Sequence, residues 1–357
     1  MRLVLLVLAL LFVAGDARSQ PRSRPAVSGP AALRALVDSA HAAGGFDGAV
    51  MVFDGRHTAS ATAGDANRAA RTPWTLATRA PWCSITKLAT ASLVLQRMGE
   101  GRLRLDDDAR TWAAPLRTGP RVSLRQMLAH TSGLARDADV PDLFERPAVR
   151  AAMDSVLAGP RRDAPGASWR YNNLDYIALE RVVAATDGGS YAGALRRRVL
   201  RPLGLRSVRM GQGNQTVGYA VDSAGAATPV VLGSRVLADF GAAGGLVGDV
   251  RDLLRLGQAL ASGRLLPPAL RDTLTAPVPR AQSALSVWVY TVAGPDGTPV
   301  RVIERQGWIA GNRALLLVVP ETNAVVAVLA NTDAADLDRT YTGRGFSAGL
   351  LRLALRR

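Results

Sequence analysis

The feature that most restricts the fold of this chain is the placement of its strand-like segments at the two ends. Near the start, residues 46–53 and 57–63 flank Asp54-Gly55 and predict a hairpin. Four further β-type segments lie near the end: 284–292, 300–305, 314–319 and 324–330. The first two and the last two of these are joined by short turn-forming segments, which favour antiparallel pairing. The sequence therefore predicts one antiparallel sheet built from N- and C-terminal strands.

Most of the other segments carry apolar residues at helical spacing. The predicted helices cover residues 31–43, 84–98, 124–130, 148–157, 175–185, 191–200, 249–261 and 346–355. This order predicts an α+β fold, an α/β sandwich in which helices cover the sheet and a mostly helical lobe is inserted. We expect one domain, residues 30–357. Its α/β lobe would contain residues 30–83 and 240–357, its helical lobe about 84–239, and the active site would lie between them.

The first residues are typical of a secretory signal. An apolar run from Leu3 to Ala14 follows Met1-Arg2, and it is too short to span a bilayer, which takes roughly 20 residues. The small residues Ala17 and Ser19 suit a cleavage site. We therefore expect a signal peptide at 1–19 and a tether at 20–29. The expected location is periplasmic or secreted, without stable membrane insertion after cleavage.

The formal net charge of +15 has two interpretations. It could attract anionic partners, or it could be an arginine-rich solvated surface. The densest basic run, Arg196-Arg197-Arg198, lies in a helical stretch without interleaved aromatic residues, so we expect no nucleic-acid partner.

The side chains that usually hold metals or form disulfides are scarce. Cys83 is the only cysteine, which excludes a disulfide framework and a thiolate cluster, and we expect it to be a small buried residue. The acidic run 106–108 lacks a His or Glu at ligand spacing and suits a solvated, helix-capping loop better than a metal site. We therefore expect neither a metal nor a cofactor.

One lysine stands apart, because 43 of the 44 basic side chains are arginine and only Lys87 is not. A guanidinium stays charged at any accessible pH, whereas an ammonium can lose its proton when it is desolvated or lies beside another cation. Ser84 precedes Lys87 by three residues, and on a helix the two side chains share a face. The pair predicts a nucleophile and the base that activates it. The alternative is a surface lysine beside an N-cap serine.

Five segments carry a resemblance to a known family. They are Ser84-Ile85-Thr86-Lys87, Leu-Ala-His-Thr-Ser-Gly-Leu at 128–134, Tyr171-Asn172-Asn173, Arg-Pro-Leu-Gly-Leu at 201–205, and Ala-Gly-Gly-Leu at 243–246. Together they resemble the serine beta-lactamase and penicillin-binding protein superfamily, and most closely its class C beta-lactamase and esterase branch. The first segment is similar to its Ser-x-x-Lys element and the third to its Tyr-x-Asn element.

The resemblance implies a role for each polar residue of these elements. Tyr171 would share a proton with Lys87, and the pair would deprotonate Ser84 and pass the proton to the leaving group. Asn173 would hold Lys87 and a substrate carbonyl. The histidine of the second segment, His130, would brace its loop.

The family's third motif is altered in this chain. Where Lys-Thr-Gly or His-x-Gly is usual, the best match is Arg305-Gln306-Gly307, followed by the bulky Trp308. The resemblance implies that Arg305 and Gly307 bind the substrate. The guanidinium of Arg305 suits a substrate carboxylate. It assigns the oxyanion hole to the backbone N–H groups of Ser84 and Trp308. The alternative is that Arg305 is only an edge-strand charge.

The function expected from these residues is a serine hydrolase that forms an acyl-enzyme. Its substrate would be a small ester or amide or a cell-wall peptide. The altered third motif favours an esterase or D-peptidase over a dedicated beta-lactamase. The alternative from another class is a catalytically inactive protein that binds or senses cell-wall peptides. A more remote alternative is binding of acidic polymers by the basic surface without chemistry.

Overall fold

The computed structural model of the protein describes residues 29–139 and 149–356. The predicted signal peptide and the predicted tether up to residue 28 lie outside these ranges, and Gly29 belongs to the first helix. Within the described ranges no helix is long and apolar enough to cross a membrane.

The helices occupy the middle of the chain and its two ends. The α-helices are α1 (Gly29–Ala42), α2 (Thr86–Gly99), α3 (Leu124–Leu128), α4 (Val149–Leu157), α5 (Asn173–Thr186), α6 (Tyr191–Leu195), α7 (Arg201–Leu203), α8 (Ser234–Gly244), α9 (Val250–Ala261), α10 (Pro268–Thr275) and α11 (Gly345–Ala354). Short 3₁₀ turns are Cys83–Ile85, Ala109–Thr111, Ala114–Leu116, Asp137–Asp139 and Thr340–Thr342, and Arg196–Leu200 is a π-helical turn.

The strands form one large sheet and three small ones. They are β1 (Gly48–Phe53), β2 (Thr58–Ala63), β3 (Asp65–Asn67), β4 (Thr72–Pro73), β5 (Ala80–Pro81), β6 (Arg209–Met210), β7 (Gly218–Val221), β8 (Ala227–Val230), β9 (Leu246–Gly248), β10 (Trp288–Ala293), β11 (Pro299–Ile309), β12 (Asn312–Val319) and β13 (Ala324–Ala330). The large sheet has the order β10-β11-β12-β13-β1-β2 with antiparallel neighbours. The predicted α+β fold with a sheet from both chain ends is confirmed.

Both faces of the sheet are covered, which explains why β13 is apolar at every position. Successive side chains of a strand point to opposite faces. Val326 and Val328 pack with α1 and α11 on one face, whereas Val325, Ala327 and Leu329 belong to the core shared with α2, α5 and α9. Two of the helices over this second face, α2 and α5, contain the predicted site residues Lys87 and Asn173. The predicted lobe boundaries stay a prediction.

Some predicted elements differ from the structure. The predicted strand 284–292 is wrong at its start, since β10 begins only at Trp288. Ser286 has a φ of +77°, which interrupts an extended backbone. The predicted helix 191–200 is broken by the π-helical turn. Helices α8 and α10 and the three small sheets were not predicted.

The candidate site lies where one edge of the large sheet meets the turn that contains Ser84. β10 pairs with β11 only as far as Trp288 opposite Glu304, so β11 has a free edge from Arg305 to Ile309. The 3₁₀ turn Cys83–Ile85 packs beside β11. The small sheet β5-β9-β6 leads into the same turn, because the Trp82 N–H donates to the Leu246 carbonyl (2.8 Å).

Candidate active site

Ser84 lies in a tight turn immediately before α2. Its neighbour Cys83 is buried and has a φ of +50°, a left-handed conformation that is costly for a residue with a Cβ. Such strain persists only where the surroundings enforce it. As expected, Cys83 is a small buried residue, and burial raises the pKa of its thiol far above the usual range. The turn presents the half-buried Ser84 side chain to a pocket.

Lys87 lies on the first turn of α2 with none of its surface exposed. Its ammonium nitrogen donates to Ser84 Oγ (3.2 Å), Asn173 Oδ1 (2.5 Å) and the Ala243 carbonyl (2.6 Å). Three acceptors match the three donors of an ammonium. Burial lowers the pKa of Lys87, and the Arg305 charge lowers it further, although the Tyr171 hydroxyl acts in the opposite direction.

Tyr171 contacts the same serine hydroxyl as Lys87 does. Its hydroxyl donates to Ser84 Oγ (2.6 Å) and accepts a bond from Arg305 NH2 (2.9 Å). Burial alone raises the pKa of Tyr171, but the charges of Lys87 and Arg305 outweigh it, so the pKa lies below its ordinary value of 10.0. Two cations therefore favour the phenolate of Tyr171 next to the serine hydroxyl.

Arg305 lies beneath the site and is only 1% exposed. Its Nε donates to the Ser84 carbonyl (2.8 Å), NH1 to the Ser286 carbonyl (2.8 Å) and NH2 to Tyr171. The guanidinium also lies over the ring of Trp288, 5.1 Å from its centroid. The family resemblance predicted a carboxylate-binding role for Arg305, yet its side chain is enclosed by protein groups and is not among the residues that line the pocket.

Gly307 lets the free edge of β11 approach the Ser84 turn. A Cβ at this position would lie 2.7 Å from the Trp82 carbonyl oxygen and 2.9 Å from Ser84 N, closer than real Cβ contacts allow. The two backbones therefore run almost in contact. The next residue, Trp308, is 56% exposed, and its Nε1 donates to Asp333 Oδ1 (2.5 Å).

Asn173 stands at the start of α5, behind Lys87. Its amide Oδ1 accepts from Lys87, and its Nδ2 donates to Asp137 Oδ2 (2.6 Å). The Asp137 carboxylate thus fixes which end of the amide faces the ammonium. Asp137 was not predicted, and its only sequence signal was its place just after the His-Thr-Ser-Gly-Leu segment.

His130 lies behind Tyr171 and is 2% exposed. Its Nδ1 accepts from the Asn172 N–H (3.2 Å), and its ring centroid is 4.5 Å from that of Tyr171. Burial lowers the pKa of His130 well below its ordinary value, and the charges of Arg305 and Lys87 act in the same direction. A neutral His130 supports the ring of Tyr171 and has no hydrogen bond with Ser84.

The pocket in front of the serine has a volume of about 280 Å³. It is lined by Ser84, Tyr171, Trp288, Gln306, Gly307, Trp308, Arg313 and Asp338. Arg313 donates to Asp338 (2.8 Å) at the pocket wall, and the sequence alone pointed to neither residue. Of the predicted site residues, the structure brings Ser84, Lys87, Tyr171, Asn173, Arg305, Gly307 and Trp308 together.

The acidic run 106–108 has structural contacts. Asp108 caps the 3₁₀ turn Ala109–Thr111, Asp107 accepts from the Arg104 N–H, and Asp106 pairs with Arg125. Within residues 29–139 and 149–356, no group of three or more His, Cys, Asp or Glu side chains could hold a metal ion.

A comparison with family models decides the family. The model described as Beta-lactamase matches residues 33–345, most of the chain. The chain belongs to the beta-lactamase family. The predicted resemblance to serine beta-lactamases and penicillin-binding proteins is thereby confirmed.

Curated relatives of the chain are peptidases and penicillin-binding proteins. A putative penicillin-binding protein, PbpX of Bacillus subtilis, is 25% identical over 51% of this chain and 46% of its own length. The D-alanyl-D-alanine-carboxypeptidase/endopeptidase AmpH of Escherichia coli is 23% identical over 67% of each chain. A D-aminopeptidase of Cereibacter sphaeroides is 28% identical over 50% of this chain and 35% of its own length. The chain thus spans between a third and two thirds of these relatives.

A solved structure covers more of the chain. A D-stereospecific amidohydrolase from Streptomyces is 26% identical with a TM-score of 0.71, over 88% of this chain and 97% of the other. The predicted fold class and the predicted serine hydrolase type agree with these matches and are confirmed.

Proposed function

We propose that this serine hydrolase cleaves amide or peptide bonds next to a D-amino acid through an acyl-enzyme on Ser84. The observation that carries the proposal is the position of Ser84 Oγ, 2.6 Å from the Tyr171 hydroxyl and 3.2 Å from the Lys87 nitrogen. Both distances are within the reach needed for proton transfer or charge stabilisation.

Tyr171 is the proposed base, with Lys87 as its charged partner. Every donor of the Lys87 ammonium already has an acceptor, so the arrangement suits the protonated lysine. A phenolate flanked by Lys87 and Arg305 can remain ionised at a lower pH than a free tyrosine. This assignment refines the sequence-based one, in which the base was Lys87, either alone or as a pair with Tyr171.

Acylation would move one proton and exchange one bond. Ser84 Oγ attacks the carbonyl carbon while its proton passes to the Tyr171 phenolate. The carbon–nitrogen bond then breaks, and Tyr171 returns the proton to the leaving amine. In deacylation a water molecule gives its proton to Tyr171 and its hydroxide to the acyl carbon. The bond between that carbon and Ser84 Oγ then breaks, and Tyr171 returns the proton to Oγ, which releases the acid and restores Ser84.

The developing oxyanion needs donors in front of the serine. We propose the backbone N–H groups of Ser84 and Trp308, which belong to the two segments that Gly307 lets approach each other. One such donor commonly contributes about 10²–10³ in rate. Arg305 is proposed as a positioning residue that holds the Ser84 carbonyl and the Tyr171 oxygen, in place of the carboxylate contact expected from the sequence.

The substrate class comes from the relatives. Names such as D-aminopeptidase and D-stereospecific amidohydrolase describe those proteins, and a similar fold and family support the same class here. The pocket of about 280 Å³ suits a small acyl group such as a single amino acid better than a large one. Export to the periplasm or the medium, proposed from the apolar start of the chain, would bring the protein to cell-wall peptides that contain D-amino acids.

The alternative of an inactive binding protein has one observation in its favour. Trp308 replaces a small residue of the family motif and remains 56% exposed beside the pocket, where it could hold a ligand without chemistry. The buried lysine disfavours this alternative, because a binding pocket gains nothing from an ammonium hidden from solvent.

Active-site labelling separates the two functions. We expect a fluorophosphonate to add one adduct to the protein, seen by intact mass, and Ser84→Ala to abolish it. Ser262→Ala, an exposed serine on the surface, should leave it unchanged. Turnover of D-alanine p-nitroanilide faster than its L-isomer would support the substrate class. Folded protein without any adduct would overturn the hydrolase proposal in favour of the binding protein.

A further inference from the structure

A second and larger cavity lies in the segment between residues 190 and 210. Its volume is about 750 Å³, against about 280 Å³ for the catalytic pocket, and the two share no lining residue. Binding sites for small molecules usually enclose about 300–1,000 Å³. The segment's own side chains form the cavity, which makes it a local feature of the fold.

Four arginines line this cavity and no acidic residue does. They are Arg196, Arg201, Arg206 and Arg209. All four are exposed, and none forms an ion pair with an acidic side chain in the described ranges. Of these four side chains, only that of Arg209 has a hydrogen bond within the described part of the chain, from NH1 to the carbonyls of Arg206 and Val208.

Their neighbours in the same run behave differently. Arg197 pairs with Asp187 (2.5 Å), and Arg198 pairs with Asp187 (2.5 Å) and Glu100 (2.6 Å). Asp187 and Glu100 therefore pair with the two arginines of the run that are not among the residues lining the cavity. Guanidinium groups gathered round one concave surface repel each other unless an anion lies between them.

The backbone around the cavity is held in place. Buried Asp252 accepts from both the N–H and the hydroxyl of Ser207 (2.7 Å each), between Arg206 and Arg209. Gly204 ends α7 in a left-handed conformation, and Arg196 begins the π-helical turn that precedes α7. π-helical turns occur often at functional sites. The walls behind the arginines are apolar, with Leu195 and Val208 each 1% exposed.

We propose that this arginine cavity binds a phosphate-bearing ligand with at least two negative charges. Planar guanidinium groups bind phosphate oxygens in pairs, and several of them suit a diphosphate better than a single carboxylate. The phosphate could belong to a free organic phosphate or to the headgroup of an anionic lipid. The proposal does not depend on the hydrolase activity, because the two sites are separate.

The test is calorimetric titration of the full chain with pyrophosphate, with a matched change of charge as control. Arg201→Gln/Arg206→Gln should weaken binding by about tenfold for each arginine removed, close to a hundredfold in total. Arg34→Gln/Arg301→Gln removes the same charge from two ion-paired surface arginines and should change the affinity by less than about threefold. Equal loss in both double variants, or no binding by the unaltered chain to either pyrophosphate or anionic vesicles, would overturn the proposal.

A second measurement identifies the source of the phosphate. Sedimentation with phosphatidylglycerol vesicles that depends on Arg201 and Arg206, compared with phosphatidylcholine vesicles, supports a lipid headgroup. Pyrophosphate binding without vesicle binding supports a free phosphate. If the double variant is poorly folded by circular dichroism, Arg196→Gln, an exposed single change, is titrated instead, and unchanged affinity there would count against the site. Ser84→Ala should bind pyrophosphate as the unaltered chain does.

Discussion

The candidate active site and the arginine cavity differ in how their positive charges are placed. In the candidate active site, Lys87 and Arg305 are at most 1% exposed, and their donors are directed at protein acceptors. In the cavity, four arginines are exposed and have no acidic partner in the described ranges. A buried charge with satisfied donors changes the protonation of its neighbours, whereas an exposed charge without a partner can attract a ligand. On the two proposals above, the comparison separates cations that take part in chemistry from cations that bind a ligand.

The strongest test of this contrast is Lys87→Arg, which keeps the charge and changes its shape. A guanidinium cannot direct three donors into the space of one ammonium nitrogen, so we expect acylation to fall by about 10²–10⁴-fold. Stopped-flow release from a p-nitroanilide or p-nitrophenyl ester measures the acylation rate, and thermal unfolding checks the fold. Near-normal turnover would mean that any buried cation is sufficient there.

The next effect in size is expected for Gly307→Ala. Because the added methyl would meet the Trp82 carbonyl and Ser84 N, the strand must move away from the turn and the proposed oxyanion donors separate. We expect kcat to fall by about 10²–10³-fold, the usual effect of losing one such donor. Gly189→Ala is the matched control, since nothing lies within 4 Å of its added carbon. Equal activity of the two variants would contradict the assigned close approach.

Arg305→Gln tests whether the second cation acts through Tyr171. Arg305 lowers the pKa of both Tyr171 and Lys87, so its removal should raise the apparent pKa of the pair. Since the base must be deprotonated in the free enzyme, kcat/KM rises with pH, and the acidic limb of the profile should move to higher pH. Arg305→Lys should restore the limb toward its original position. A limb that does not move in Arg305→Gln would assign Arg305 to structure alone.

The smallest expected effect on catalysis comes from Asp252→Ala, on the side of the arginine cavity. The change leaves the Ser207 N–H and hydroxyl without their acceptor, which should cost about 1–3 kcal/mol of unfolding free energy. Pyrophosphate binding should weaken as the loop loosens, whereas kcat should stay near normal. Chemical denaturation and calorimetry measure the two effects. A loss of kcat beyond the loss of folded protein would show that the two regions are coupled.

Local patterns in the sequence were sufficient for the sheet and for part of the site. The terminal strands are short apolar runs bounded by turn residues, and the Ser84–Lys87 pair lies within one helical turn. The scarcity of lysine directed attention to Lys87 before any contact was known. These patterns involve residues that are close in the sequence, so a single sequence is sufficient to recognise them.

The parts that the sequence did not predict depend on contacts between distant segments. The Ala243 carbonyl that accepts from Lys87 lies 156 positions away, at the end of the unpredicted helix α8. Asp137 acts on Lys87 through its hydrogen bond with Asn173 and through its charge, which raises the pKa of Lys87. The burial of Arg305 follows from the irregular backbone at Ser286, which looked like strand because its neighbours are apolar. The periodicity of apolar residues indicates which face of an element is buried. It does not indicate which distant carbonyl will accept a hydrogen bond from a side chain on that face.

Because its single lysine is buried, chemical modification of Lys87 can report unfolding of the protein. In the native state an amine-reactive ester would modify the terminal amine. It would not react with the arginines, and Lys87 is buried and therefore protected. Each molecule that opens far enough to expose α2 would acquire one extra, irreversible modification. Mass spectrometry could then count unfolding events by the appearance of one defined peptide.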